Sequence, residues 1–388
     1  MKRINNLYES VINIDNIIKM TNKVLSRTRN KKKVEAFEKH KIEHICNIKN
    51  RLDNRDFRFG KYNIFMITDP KARIVMAEEL EDKIINHLIA EYILVKVFDN
   101  KYTDNMCATR IGKGTSYGIK LLRKYINDIK RKHHNFYILK IDISKYFYRI
   151  DHDILKGILK EKIKDKEALN VLYKIIDTTN DNYVNESIRK LKDNRIKYFI
   201  NHNNKNKDKL INEINKIPLY EYNKGVALGN QTSQAFGLIY LYKFNHYLQD
   251  ELHLKYVINY MDDFVILHDD KNYLKYCLTK IINKLKNEYK LEININKTKI
   301  NTIKNGIEFL GYFFNLKNNR LIVKIKNITK KKLKIRIKEL KLLYENRIIT
   351  KKEYNKYIAS YKGILINGHC YNLYNKVIGN MIIIWNNG

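Results

Sequence analysis

Proline is almost absent, with two residues in 388, so helices and strands can run without the breaks that proline imposes. Cysteine is scarce as well. Cys46, Cys107, Cys277 and Cys370 stand far apart and form no CxxC pair, which argues against a zinc ribbon or a disulfide framework and fits a reducing cytoplasm. No run of 18 apolar residues occurs, so no membrane span is expected, and Met1-Lys2-Arg3-Ile4-Asn5-Asn6 lacks the apolar core of a signal peptide. Acidic residues are the other shortage: Asp plus Glu number 41 against 76 Lys plus Arg, a formal net charge of +35. An AT-rich codon bias would enrich Lys, Asn and Ile without leaving the acids so outnumbered. The excess points instead to a polyanionic partner, nucleic acid by default. With 44% hydrophobic residues the chain is a folded one, and its length accommodates two or three subdomains.

Residues 1–56 read as basic amphipathic helices, with a cationic run from Arg27 to Lys33 and a second helix from Val34 to Leu52. From Phe57 the character changes. Tyr62 to Ile67 alternates like a strand, Asp69-Pro70-Lys71-Ala72-Arg73 turns, and Ile74-Val75-Met76 resumes, which predicts a hairpin with basic residues near its tip. A helix over Glu78–Phe98 follows. The loop Asn105–Thr115, with Arg110, Gly112, Lys113 and Gly114, has the wrong spacing for a Walker A loop but can sit against phosphates. Beyond the helix Tyr117–Arg131, Asn135–Ile143 is apolar on both faces, as a central strand would be, and ends in Asp142. Residues 157–216 read as connecting helices around a mobile polar loop near 201–208. Lys224–Gln234 is a glycine-bracketed turn feeding a helix from Ala235 to Leu252. The stretch Lys255–His268 then holds two apolar β-rich runs around Asp262 and Asp263, a hairpin with paired carboxylates at its turn. A helix over Asn272–Tyr289, an alternating stretch Leu291–Ile303, a hairpin Gly306–Phe314 and basic helices from 326 complete the chain.

Carboxylates beside a buried hairpin are costly unless a cation meets them. Asp142 with Asp262 and Asp263 can hold two Mg²⁺ ions about 4 Å apart, an arrangement suited to phosphoryl transfer from a nucleoside triphosphate. At this point the chain resembles the reverse transcriptase family. Asp142-Ile143-Ser144-Lys145-Tyr146-Phe147 with Ile150-Asp151-His152 is similar to its first palm motif, and Gly229 to Gln234 to its template-grip motif. Tyr260-Met261-Asp262-Asp263 is similar to its YxDD box. Leu291 to Ile300 with Lys297-Thr298, then Phe309-Leu310-Gly311-Tyr312, are similar to the motifs that close the palm. Within the family, Leu228-Gly229-Asn230-Gln231-Thr232-Ser233-Gln234 resembles reverse transcriptases of diversity-generating retroelements, where most bacterial relatives carry glutamine before the glycine and Ser-Pro after it. Asp69-Pro70-Lys71-x-Arg73, Asn105–Thr115 and Ser360–His369 look alike too. Lys83 stands where that type usually has arginine, Leu228 replaces a common isoleucine, and residues 180–216 are longer than usual.

The resemblance implies an α+β right-hand polymerase. Residues 1–134 would be N-terminal helices and fingers, and 135–315 an antiparallel-sheet palm with an insertion at 157–216. Residues 316–388 would be a short helical thumb. It implies catalytic Asp142, Asp262 and Asp263, with the Ile143 carbonyl joining them around two Mg²⁺ ions that Mn²⁺ can replace. Lys71, Arg73, Phe147 and Gln234 would bind the dNTP. Phe147 would exclude a 2′-hydroxyl, its alternative being a core phenylalanine with the register off by one. Leu228, Gly229, Ser233, Arg110, Lys113, Lys297, Phe309, Leu310 and Gly311 would face template and primer. Lys297 is alternatively a general acid for pyrophosphate or a surface lysine. His152 and His369 are expected to pack or cap, and Tyr260 to pack beneath the hairpin. The implied partners are template RNA, an RNA–DNA heteroduplex, dNTPs and a small basic accessory protein, in the cytoplasm and without a membrane. Two other readings stay open: a phage-defence reverse transcriptase with a dedicated non-coding RNA, and a nucleic-acid-binding protein with an inactive core.

Overall fold

The computed structural model describes residues 3–55, 58–69, 71–202 and 207–375. Phe57 and Pro70 of the expected fingertip segment, residues 203–206 of the polar loop and the tail from 376 lie outside the described residues. The chain divides into two compact units, each gathered from non-consecutive segments.

The first unit holds Met1–Asp104, Ile143–Tyr247 and Ile281–Ile293. Its N-terminal helices run over Tyr8–Ile12, Ile14–Arg27, Lys31–Lys39 and Lys41–Asp53. Asn13 and Asn30 cap two of them, accepting from the Asn16 and Lys33 amides. The single helix expected over Val34–Leu52 is broken at His40, whose φ of −121° leaves the helical region, so Phe37 before the break and Ile48 and Leu52 after it all reach the core. β1 (Asn63–Ile67) and β2 (Arg73–Ala77) form the expected hairpin, with Phe65 opposite Val75 and Ile67 opposite Arg73. Ile74 and Met76 bury one face against Val184, Ile188, Phe199 and Ile214, from the helices Asn182–Asn201 and Lys207–Asn215. The long region read as a mere connection is therefore the backing of the hairpin. The opposite face leaves Phe65, Ile67 and Arg73 exposed. The helix expected over Glu78–Phe98 starts at Leu80 and passes through a π-helical turn, Ala90–Val95.

The second unit holds Asn105–Asp142, Leu248–Lys280 and Asn294–Gly388. Its first sheet comprises β3 (Tyr137–Asp142), β4 (Tyr256–Tyr260), β5 (Asp263–His268) and β6 (Lys299–Thr302), in the antiparallel order β4-β5-β3-β6. The two inner strands are the ones whose sequences are apolar on both faces. Ile119, Leu122 and Ile126 of the helix Thr115–Lys132 join Ile138, Ile258 and Val265 in one core. That core continues into a second sheet, β7 (Ile307–Phe309), β8 (Tyr312–Lys317) and β9 (Arg320–Ile325), and onto Leu333, Ile337 and Leu365 of the helices Asn327–Glu345 and Lys351–Ile366. A Thr350–Glu353 capping box starts the last of these. β9 was not anticipated. It is formed because Asn318 and Asn319 take φ values of 48° and 57°, the two-residue turn that suits a hairpin, and bring Lys317 opposite Arg320. Of the alternating stretch Leu291–Ile303, only Lys299–Thr302 is a named strand, since the Lys297 and Thr298 amides turn back to the Asn294 carbonyl. No helix among the described residues is long and apolar enough to cross a membrane.

Candidate active site

Alternation along β3 puts Lys140 and Asp142 on one face. The antiparallel register sets Asp142 directly opposite Asp263, the first residue of β5. Tyr260 also pairs with Asp263, across the hairpin, so Met261 and Asp262 form its turn. Met261 takes a left-handed φ of 59°, and Asn259 Nδ2 donates to its carbonyl at 2.8 Å. The second unit thereby brings Asp142, Asp262 and Asp263 to one end of one sheet.

Two lysines meet these carboxylates. Lys297 Nζ bonds both oxygens of Asp142, at 2.9 and 3.0 Å. Lys140 Nζ lies 3.1 Å from Asp263 Oδ2. Lys140 was not singled out by the sequence reading, although its place two residues before Asp142 on a strand was the available signal. Asp263 Oδ1 is buried with no hydrogen-bond partner. Burial pushes the Asp263 carboxyl up to about 6; Lys140 opposes the rise, and the nearby Asp262 and Asp142 charges add to it. Among the described residues no three His, Cys, Asp or Glu side chains already surround a common cation position. The donor set nonetheless suits Mg²⁺, being all oxygen, mutually repelling and carrying one orphaned buried carboxylate oxygen. Lys297, expected along the template, as a proton donor or as a surface lysine, is paired with Asp142.

The remaining candidates of this unit lie in two turns. The loop with Arg110 and Lys113 is tied to β4, since the Cys107 and Asn259 amides donate to the Asn259 and Asn105 carbonyls, both at 2.9 Å. Arg110 Nη1 reaches the Met106 carbonyl at 3.4 Å, and Lys113 Nζ donates to the Tyr117 hydroxyl at 2.9 Å. Tyr260 is partly buried against the core, as expected, with its hydroxyl 3.4 Å from Thr115 Oγ1. Phe309 is buried, and Leu310 and Gly311 form a turn with φ values of 48° and 86°. That turn lies flush on Gly118, where a Cβ would come within 2.9 Å of Leu310 Cδ1.

The other candidates belong to the first unit. Ile143 is buried and bridges Ile293. Tyr146 is buried and donates to the Gly237 carbonyl at 2.5 Å, whereas Phe147 is half-buried; a Cβ on Gly237 would stand 3.3 Å from the Phe147 ring. The core aromatic of this segment is thus Tyr146. The Leu228 carbonyl accepts from the Met76 amide at 2.8 Å. Gly229 follows with φ 132°, and a Cβ there would lie 2.7 Å from the Met76 carbonyl oxygen, so only glycine fits. Asn230, part of the Leu228–Gln234 motif but given no role of its own there, donates from Nδ2 to the Tyr62 hydroxyl at 2.9 Å and fixes the turn to the start of the hairpin. Ser233 is buried and Gln234 half-buried on the first turn of the helix Gln231–Asp250, while Lys71 and Arg73 are exposed. His152 is buried, with Nδ1 toward Asp177 and Nε2 toward the Gly225 carbonyl. His369 Nδ1 accepts from the Val323 amide at 2.9 Å. Both histidines serve structure.

The chain is 28% identical over 206 residues to the putative COX1/OXI3 intron 2 protein of Saccharomyces cerevisiae, covering 45% of this chain and 23% of that protein. It is 23% identical over 346 residues to the putative COX1/OXI3 intron 1 protein, covering 79% and 39%. It therefore spans less than half the length of either relative. Among solved structures it is similar to telomerase from Candida tropicalis with a TWJ fragment of telomeric RNA, at TM-score 0.44 and 17% identity over 82% of this chain and 55% of that one. The corresponding Candida albicans telomerase gives TM-score 0.43 and 14% identity over 76% and 52%. Residues 68–314, well over half the chain, match the family described as reverse transcriptase (RNA-dependent DNA polymerase). The chain belongs to that reverse transcriptase family.

Proposed function

We propose that this protein is an RNA-directed DNA polymerase of the diversity-generating retroelement type, making cDNA from a template RNA. The observation that carries the polymerase reading is Asp142 facing Asp263 across the β3–β5 pairing, with Asp262 at the adjoining turn. The subtype reading rests on the text Leu228-Gly229-Asn230-Gln231-Thr232-Ser233-Gln234, on a turn held against β2.

Asp142, Asp262 and the Ile143 carbonyl would hold two Mg²⁺ ions, with Asp263 in support. When bound, such ions activate a primer 3′-hydroxyl and neutralise charge on the departing pyrophosphate. The residues of the chain do the positioning. Lys71 and Arg73, exposed on the β1–β2 hairpin, meet the triphosphate. The half-buried Phe147 ring, backed by Gly237, fills the space that a 2′-hydroxyl would need. Leu228 and Gly229 offer a backbone surface to the template–dNTP pair, with Ser233 and Gln234 beside them. Arg110 and Lys113 contact template phosphates, and Phe309, Leu310 and Gly311 hold the primer strand. Lys297, set on Asp142, stands beside the reacting phosphates. Residues 1–134, 135–315 and 316–388 would serve as fingers, palm and thumb. A small basic oligomeric protein would be the accessory partner.

Full-length protein given an RNA template, a DNA primer, dNTPs and Mg²⁺ should extend the primer, and Asp262→Asn should abolish extension. Undiminished synthesis by that variant would sink the reading. Sequencing the RNA and cDNA that co-purify with the protein tests the subtype: template-repeat RNA supports it, and a self-contained non-coding RNA overturns it in favour of a defence role.

A further inference from the structure

We propose that Lys140 is a positioning residue that couples the Phe309–Leu310–Gly311 turn to the catalytic hairpin. The proposal rests on the polymerase reading above. Lys140 sits in β3 between β5 and β6, paired with Val265 on one side and Lys299 on the other. Its ammonium group has two partners on two different sheets. It lies 3.1 Å from Asp263 Oδ2, in the first sheet, and donates to the Glu308 carbonyl at 2.7 Å, in β7 of the second. Glu308 is the residue immediately before the turn.

The turn is fastened elsewhere as well. The Lys326 amide donates to the Gly311 carbonyl at 3.1 Å, and the Lys326 ammonium pairs with the Glu308 carboxylate. Leu310 packs close on Gly118, where a Cβ would stand 2.9 Å from Leu310 Cδ1 and the leucine would have to shift. A turn fixed at this many points moves as a block, and Lys140 carries that movement to Asp263. Both members of the Lys140–Asp263 pair are about three-quarters covered, with side-chain exposures of 24% and 23%. This separates the pair from an ordinary solvated surface bridge, whose geometry is loose. The chemistry requires an ammonium on a long stem: it has several donors to divide between a carboxylate and a carbonyl, and a charge to set against Asp263. Primer placement and aspartate placement are then read by one side chain.

The test compares Lys140→Met, which keeps the stem and removes the charge, with Lys140→Arg, which keeps the charge. Single-nucleotide addition on an RNA-templated primer, heteroduplex affinity, melting temperature and Mn²⁺ binding to the nucleic-acid-free protein are measured. Small misplacements of reacting groups cost rates of up to about 100-fold, so Lys140→Met should lower kcat by about tenfold or more with dNTP KM within about twofold. Lys140→Arg should recover most of the loss. Mn²⁺, followed by electron paramagnetic resonance, should bind Lys140→Met more tightly, because Asp263 has lost its cation. If Lys140→Met does not fold, Lys140→Gln takes its place. A methionine variant with wild-type kcat overturns the proposal, as does an arginine variant no better than methionine. If wild-type protein extends no primer, it is the polymerase reading that has failed. The Mn²⁺ measurement then still decides on the Lys140–Asp263 pair, and unchanged Mn²⁺ affinity overturns it.

Discussion

Removing the charge of Asp263 should change how the metal-free protein responds to pH. Its carboxyl is raised from 3.8 to about 6 in the folded chain, chiefly by burial. At about 1.4 kcal/mol per unit, ionising it in the folded state costs about 3 kcal/mol more than in the unfolded chain. The side chain is 23% exposed, so solvent screening removes only part of this. The sign follows from which state holds the proton more tightly. Below about pH 4 both states are protonated and the cost is absent. Between about 4 and 6 the unfolded chain ionises first, and stability falls as pH rises. Above about 6 the full cost remains. Asp263→Asn carries no such group. In urea unfolding with EDTA, followed by far-ultraviolet circular dichroism, the variant should gain on wild type by about 2–3 kcal/mol between pH 4 and pH 7.5. Added Mg²⁺ should close that gap, since an ion stabilises the carboxylate and not the amide. A difference that stays constant across this range, or narrows as pH rises, refutes the reasoning.

Gly229→Ala should lower stability by about 2 kcal/mol or more, because φ 132° and a carbonyl oxygen 2.7 Å from the new Cβ leave the turn no relaxed alternative; thermal unfolding reads the loss. Phe147→Val should leave the fold intact, the ring being half-buried, and should raise ribonucleotide use relative to dNTP use in single-nucleotide addition. Heteroduplex affinity should fall steeply with KCl, as expected for a chain of net charge +35 that neutralises several phosphates, and a flat response would count against an extended backbone footprint.

Much of the local structure could be read directly from the sequence. Asp142 at the end of an apolar strand, Asp262 and Asp263 between two apolar runs, and the alternation over Tyr62–Met76 each announce their element. The face-to-face placement of Asp142 and Asp263 could not be read in this way. It depends on a register between strands more than a hundred residues apart, and local pattern does not encode that. Lys140 was hidden for the same reason: its alternation with Asp142 was visible, but its partners Asp263 and Glu308 arrive from distant strands. The identity of the buried aromatic after Asp142 was open in the sequence, and was decided by a single hydrogen bond from Tyr146 to the Gly237 carbonyl. β9 had a local signal in Asn318-Asn319, masked by the lysine-rich text around it. The break at His40 had none.

The two lysine pairs have a consequence for how the site is charged. With Lys297 on Asp142 and Lys140 on Asp263, two of the three carboxylates already have an ammonium counter-ion. A divalent ion entering there competes with those ammonium groups for the same oxygens. Until an ion displaces them, the chain's own lysines serve those two carboxylates as counter-ions.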